Sequence, residues 1–214
     1  TLKLTQKQVV DIFLGTIKDW KQLGCAAGPV RVVHRSDGSG TTFAFTNSLS
    51  AFSPQWKSKV GEGKSVKWPV GIGGKGNEGV SGTVKTTPGS IGYVNTGFVK
   101  ANKLQAAAIQ NKAGQFVLPT AKSGAIALNS ITLDSNLAGE NPNPSASGAY
   151  PISTLTWVLA YKTGNGARKA SDIQKALNYA LSSKAQLIAD DLGYVPLAGS
   201  ILNKSRIAVK RIGN

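Results

Sequence analysis

Between Val30 and Phe52 the chain passes from a strand pattern to a helix pattern through a turn of only a few residues, and this restricts its fold more than any other feature. Pro29 opens V-R-V-V-H, a short β-branched strand from about Val30 to His34. R-S-D-G-S-G-T-T follows from Arg35 to Thr42, and T-T-F-A-F-T-N-S-L-S-A-F then reads as a helix stopped by Ser53-Pro54. A strand that feeds a helix through a tight glycine turn is a unit of α/β architecture.

The remaining pattern agrees. Thr5 with Gln8 forms a capping box for a helix ended by Gly15, with Val9, Ile12 and Phe13 on one face. Gly71 to Gly79 reads as a loop-to-helix turn, and I-G-Y-V (Ile91 to Val94) as a short buried strand. Ala101 to Val117 is weakly patterned, a mixture of helix and edge hairpin. Asn136 to Tyr150 is a surface loop. Thr154 to Tyr161, T-L-T-W-V-L-A-Y, is the strongest strand signal in the chain. Arg168 to Ser183 reads as an amphipathic helix presenting Ile173, Ala176, Leu177 and Ala180 on one side. Gly193 to Leu197 reads as an extended segment, and Ile201 to Ile212 as a final basic helix.

Composition narrows the function classes. With 25 Gly and 9 Pro in 214 residues, backbone-lined loops are expected and a helix bundle is not. A formal net charge of +15 raises the local concentration of any anion. The basic residues are scattered without a run of five or more, which argues for general cationic steering and against a dedicated nucleic-acid surface. Cys25 stands alone, so no internal disulfide can form. No apolar run approaches the roughly 20 residues of a membrane span.

The chemistry concentrates in the turn. A tetrahedral oxyanion is bound by converging backbone N–H groups, hydroxyl donors and a guanidinium fork. Arg35 supplies the fork, Ser39 and Thr41 the hydroxyls, and the Gly40, Thr41 and Thr42 N–H groups a helix N-terminus. Gly38 and Gly40 let the backbone approach closely. Asp37 beside an anion makes sense as the group that orients Arg35. The bland alternative is a strand-to-helix turn with Ser39 as helix cap. Elsewhere, Gly71 to Gly79 lacks the G-K-[ST] of a nucleotide loop, which leaves Lys75 and Asn77 as secondary ligand candidates. His34, the only histidine, and Cys25 have no partners that would build a triad or a metal site. The four Trp residues read as packing anchors.

In order along the chain, L-T-x-x-Q-V-V-D-I-F-L-G-T-I-K-D-W (4 to 20), V-H-R-S-D-G-S-G-T-T (33 to 42), V-K-W-P-V-G-I-G-G-K-G-N-E-G-V (66 to 80), P-G-S-I-G-Y-V (88 to 94), Y-P-I-S-T (150 to 154) and G-Y-V-P-L (193 to 197) resemble the phosphate-binding proteins of high-affinity phosphate ABC transporters. The resemblance implies a two-lobed, periplasmic binding protein-like fold. It implies inorganic phosphate as ligand, held by Arg35, Ser39, Gly40 and Thr41 with Asp37 pairing Arg35, and delivery to an inner-membrane ABC permease. It implies no cofactor, no metal, no enzyme activity, a monomer, and a periplasmic or exported and membrane-anchored location. Members of that family begin with a further segment carrying a Gly-Ala-Thr-Phe-Pro type motif and a carboxylate that accepts the proton of hydrogen phosphate. On this reading residues 1–153 are the second lobe with the oxyanion loop, and 154–214 the C-terminal part of the first lobe. Two alternatives remain: an enzyme acting on phosphate esters through Ser39 and Arg35, and a basic nucleic-acid or surface binder.

Overall fold

A computed structural model describes residues 1–213. Strand β1 (Lys3–Leu4) turns at Thr5 into helix α1 (Gln6–Phe13). The Thr5 hydroxyl accepts from the Gln8 N–H at 3.2 Å, and the Gln8 carboxamide accepts from the Thr5 N–H at 2.9 Å, closing the expected capping box. Strand β2 (Arg31–Arg35) runs into α2 (Gly40–Phe52), and Ser53 ends that helix while capping α3 (Pro54–Lys59). Strand β3 (Ile72–Gly74) leads into α4 (Gly76–Thr86), and β4 (Ser90–Gly92) into α5 (Thr96–Asn102). A hairpin of β5 (Ala108–Gln110) and β6 (Phe116–Val117) precedes α6 (Ala121–Asn129). The C-terminal stretch carries α7 (Ala167–Ala180), α8 (Ser183–Leu187) and α9 (Gly199–Val209).

The architecture is α/β, as the alternating pattern implied. One sheet is wholly parallel in the order β3-β2-β4, with Val33 opposite Ile72 on one side and Gly92 on the other. The other has the order β1-β5-β6, with β1 parallel and β6 antiparallel to β5. Each strand of the parallel sheet is followed by a helix, so the N-termini of α2, α4 and α5 gather at the carboxyl ends of the strands. Open α/β sheets bind ligands at that edge.

Beneath the parallel sheet lies an aromatic-rich core. Phe13 meets Phe45 edge-on at 4.7 Å, Phe45 stacks on Tyr93 at 4.4 Å, and Trp56 is fully buried with its indole N–H donating to the Gly61 carbonyl. Val10, Ile12, Val32 and Leu49 complete it. A smaller cluster joins Leu128, Ile131 and Leu133 to Leu155 and Ile201, so packing continues across positions 153 and 154.

Four expectations need correction. Thr154 to Tyr161 is not a strand: no regular hydrogen-bonded structure forms there, and Leu159 is 94% exposed. β-propensity describes a fit to a pleated, half-covered surface, and without a neighbouring strand among the described residues it has nothing to act on. The apolar face of α7 is only partly covered. Ile173 and Leu177 are half-buried, whereas Ala176 and Ala180 are exposed. Trp157, read as a packing anchor, is substantially exposed as well. Conversely, the glycine-dense stretch after Gly71 hides strand β3. A Cβ at Gly74 would stand 2.7 Å from the Val80 nitrogen, so glycine is what lets α4 lie directly against that strand.

Candidate functional site

The turn between β2 and α2 is pinned at both ends. The Ser36 N–H donates to the Gly74 carbonyl at 3.0 Å, and the Ser39 N–H donates to the Lys64 carbonyl at 2.8 Å. Ser39 is the helix cap: its hydroxyl oxygen accepts from the N–H groups of Thr41 at 3.0 Å and Thr42 at 3.3 Å. Two of the N–H groups expected to face a ligand are thus already engaged by Ser39. Capping does not use the whole hydroxyl of Ser39. With both lone pairs occupied, its O–H proton is left to donate, and Ser39 is buried at 5% exposure. The Gly40 N–H and the Thr41 hydroxyl have no acceptor or donor among the described residues.

Arg35, the last residue of β2, is held rigidly. Its Nε donates to Asp37 Oδ1 at 2.8 Å and its Nη2 to Asp37 Oδ2 at 2.6 Å, a bidentate fork. Nη1 reaches Asn77 Oδ1 at 3.4 Å. Of the five guanidinium N–H bonds, this leaves two without an acceptor among the described residues. The guanidinium drives the Asp37 carboxyl far below the usual carboxylate range, helped by the Gly76 N–H, which also donates to Oδ1 at 3.1 Å. The same pairing raises Arg35 against the opposing effect of its burial. Asp37 is therefore committed as an anion to its neighbours, and Arg35 as a cation.

Arg35, Ser39, Gly40, Thr41, Lys64 and Asn77 border one groove of about 2030 Å³, whose other parts include residues from 152–160 and 185–197. The guanidinium, the Ser39 and Thr41 hydroxyls and the Gly40 N–H bring donors to this wall. Lys75, the N-cap position of α4, is exposed and does not line the groove; Asn77 does. His34 donates from Nδ1 to the Arg35 carbonyl (3.0 Å) and stacks on Trp68 at 4.9 Å, a packing role. Cys25 is an exposed loop residue. No group of three or more His, Cys, Asp or Glu suited to a metal ion occurs among the described residues. Sequence reasoning overlooked Lys64 and Tyr93. Tyr93 follows β4 and places its hydroxyl against both Arg35 and Thr42, and only its position after a short apolar strand hinted at this.

The family model of the PBP superfamily domain matches residues 1–184. The chain belongs to the PBP superfamily. Among its relatives, this superfamily member is 41% identical over 216 residues to the phosphate-binding protein PstS of Xylella fastidiosa, covering 95% of this chain and 58% of that protein. It is 39% identical over 214 residues to the phosphate-binding protein PstS of Pasteurella multocida, covering 95% and 62% respectively. The chain thus spans about three-fifths of the length of these curated relatives. In fold it is similar to a high affinity periplasmic phosphate-binding protein solved with bound phosphate, at a TM-score of 0.70 and 20% identity, over 96% of this chain and 65% of that one. No described helix is long and apolar enough to cross a membrane.

Proposed function

We propose that the chain binds inorganic phosphate at the groove wall formed by Arg35, Ser39, Gly40 and Thr41, with Asp37 fixing Arg35. The observation that carries this is the polarity of Ser39. A buried hydroxyl whose two lone pairs are filled by the Thr41 and Thr42 N–H groups presents only a proton, and so calls for an acceptor. Two free guanidinium N–H bonds, the Gly40 N–H and the Thr41 hydroxyl add donors on the same wall. A small oxyanion satisfies them together.

Phosphate rather than another oxyanion is supported by the relatives at 39–41% identity, which are phosphate-binding proteins. On this reading the protein is the substrate-binding component of an ABC importer, acting in the periplasm or anchored at the cell surface. It captures phosphate reversibly, as a monomer, and hands it to an inner-membrane permease without covalent chemistry or cofactor. Residues 1–153 act as one lobe and 154–214 as part of the other, with the remaining two-fifths of the relatives' length supplying the opposite half of the site. The one carboxylate of the motif, Asp37, is spent on Arg35 and Gly76, so it is not free to take the proton of hydrogen phosphate. The 214-residue chain should therefore bind phosphate weakly and with little preference over sulfate. Titration calorimetry with both anions tests this: weak heats for each, abolished in Arg35→Gln, are expected. Tight, sulfate-discriminating binding, or heats indifferent to Arg35→Gln, would overturn it.

A further inference from the structure

The two ends of the anion loop are fastened to each other from below. The ladder between β2 and β4 ends at the Val33–Gly92 pair, after which β4 gives way to Tyr93. On that edge of β2, the Arg35 N–H finds no β4 carbonyl; it donates instead to the Tyr93 hydroxyl at 3.1 Å. The same hydroxyl lies 2.8 Å from Thr42 Oγ1, in the first turn of α2. The phenol oxygen accepts from the Arg35 N–H and shares one hydrogen bond with the Thr42 hydroxyl, in which either oxygen can donate. Tyr93 is 8% exposed and Thr42 1%, so water is a poor substitute for either partner.

The ring and the hydroxyl of Tyr93 serve different ends. Stacking on Phe45 at 4.4 Å and on Trp68 at 5.6 Å would be met equally by a phenylalanine. The hydroxyl touches only the residues that flank the loop. Between Arg35 and Thr42 run Gly38 and Gly40, which do not by themselves hold a fixed distance between the guanidinium and the helix N-terminus. Asp37 fixes the Arg35 side chain, but nothing else described fastens its backbone to α2.

We infer that Tyr93 is a positioning residue for the anion loop, its hydroxyl clamping the Arg35 backbone to Thr42 so that guanidinium and helix N-terminus converge on one oxyanion. The inference rests on the phosphate reading of that wall. Burial raises the Tyr93 pKa above the ordinary tyrosine value, which keeps the clamp protonated through the neutral range.

The test uses the full chain with Tyr93→Phe, Thr42→Val and Thr42→Ser, read by amide hydrogen exchange and by titration with inorganic phosphate. Tyr93→Phe and Thr42→Val should each weaken phosphate binding by roughly three- to tenfold, the scale of one neutral hydrogen bond. Tyr93→Phe should also speed exchange at the Arg35 amide by a similar factor, with Val10 in α1 unchanged. Thr42→Ser should restore wild-type affinity, and the double variant should lose no more than either single one. Unchanged Arg35 exchange in Tyr93→Phe, or equal acceleration at Arg35 and Val10, would overturn the clamp. If wild type gives no phosphate signal, the oxyanion reading fails, and the comparison of Arg35 with Val10 still decides whether the clamp exists.

Discussion

The observed and the proposed role of Ser39 can be separated by substitution. As N-cap it accepts from the Thr41 and Thr42 N–H groups at 3.0 and 3.3 Å; in the proposed site it would donate its proton to an anion. Replacing an N-cap serine by alanine costs about 1 kcal/mol, while glycine costs only a few tenths, because glycine's bare backbone lets water reach the orphan N–H groups. The position tolerates glycine, since its φ of −146° and ψ of 133° are ordinary extended values. For a chain of 214 residues, about 1 kcal/mol lowers Tm by about 2–4 °C. Ser39→Ala should therefore melt about 2–4 °C below wild type, and Ser39→Gly within about 1 °C of it. Both lose the same hydroxyl donor to a charged ligand, worth about 1.5–3 kcal/mol, so both should lose phosphate affinity by about ten- to a hundredfold. Scanning calorimetry with and without phosphate, together with titration, measures each quantity. If the affinity loss followed the stability loss, severe in alanine and slight in glycine, the hydroxyl would act only through the helix, and its role as ligand donor would be refuted.

Three further outcomes follow from the packing and the charges. Trp56→Ala removes a fully buried indole beside Trp68, and should cost about 3–5 kcal/mol by chemical denaturation. Asp37 has a folded pKa held below its ordinary 3.8, so its contribution is present above about pH 4 and is lost as pH falls through the lower folded value. Asp37→Asn should accordingly be less stable than wild type at pH 7, with the gap shrinking in acid; a gap that widened below pH 4 would contradict the ion pair. Leu159→Ser, at a side chain 94% exposed, should change stability by no more than about 0.5 kcal/mol, whereas a buried strand residue would cost several times that.

Local chemistry was legible in the sequence, and long-range pairing was not. The capping box at Thr5 and Gln8, the stop at Ser53-Pro54 and, to within one residue at each end, the strand that leads into the turn depend on neighbours within a few residues, and each took the expected form. Thr154 to Tyr161 has equally strong strand character, but a strand exists only by pairing, and composition carries no record of its partner. Strand β3 failed in the opposite direction: its glycines imitate a loop, while their purpose is to admit α4. The pairing of Asp37 with Arg35 could be read from a spacing of two residues. The contact of Tyr93 with Arg35 spans 58 positions and depends on where β4 ends, which no local pattern announces.

The central claim is that one small oxyanion is held where Arg35 meets the start of α2. Nitrogen–proton NMR of the chain during titration with inorganic phosphate tests it most directly. Gly40 has the backbone N–H at the helix start that lacks an acceptor among the described residues, whereas those of Thr41 and Thr42 are already taken by Ser39. The Gly40 amide proton should move furthest downfield, with the Arg35 guanidinium resonances shifting in step and Val10 still. Phosphate that left Gly40 and Arg35 unmoved, or shifted residues scattered over the basic surface instead, would contradict it.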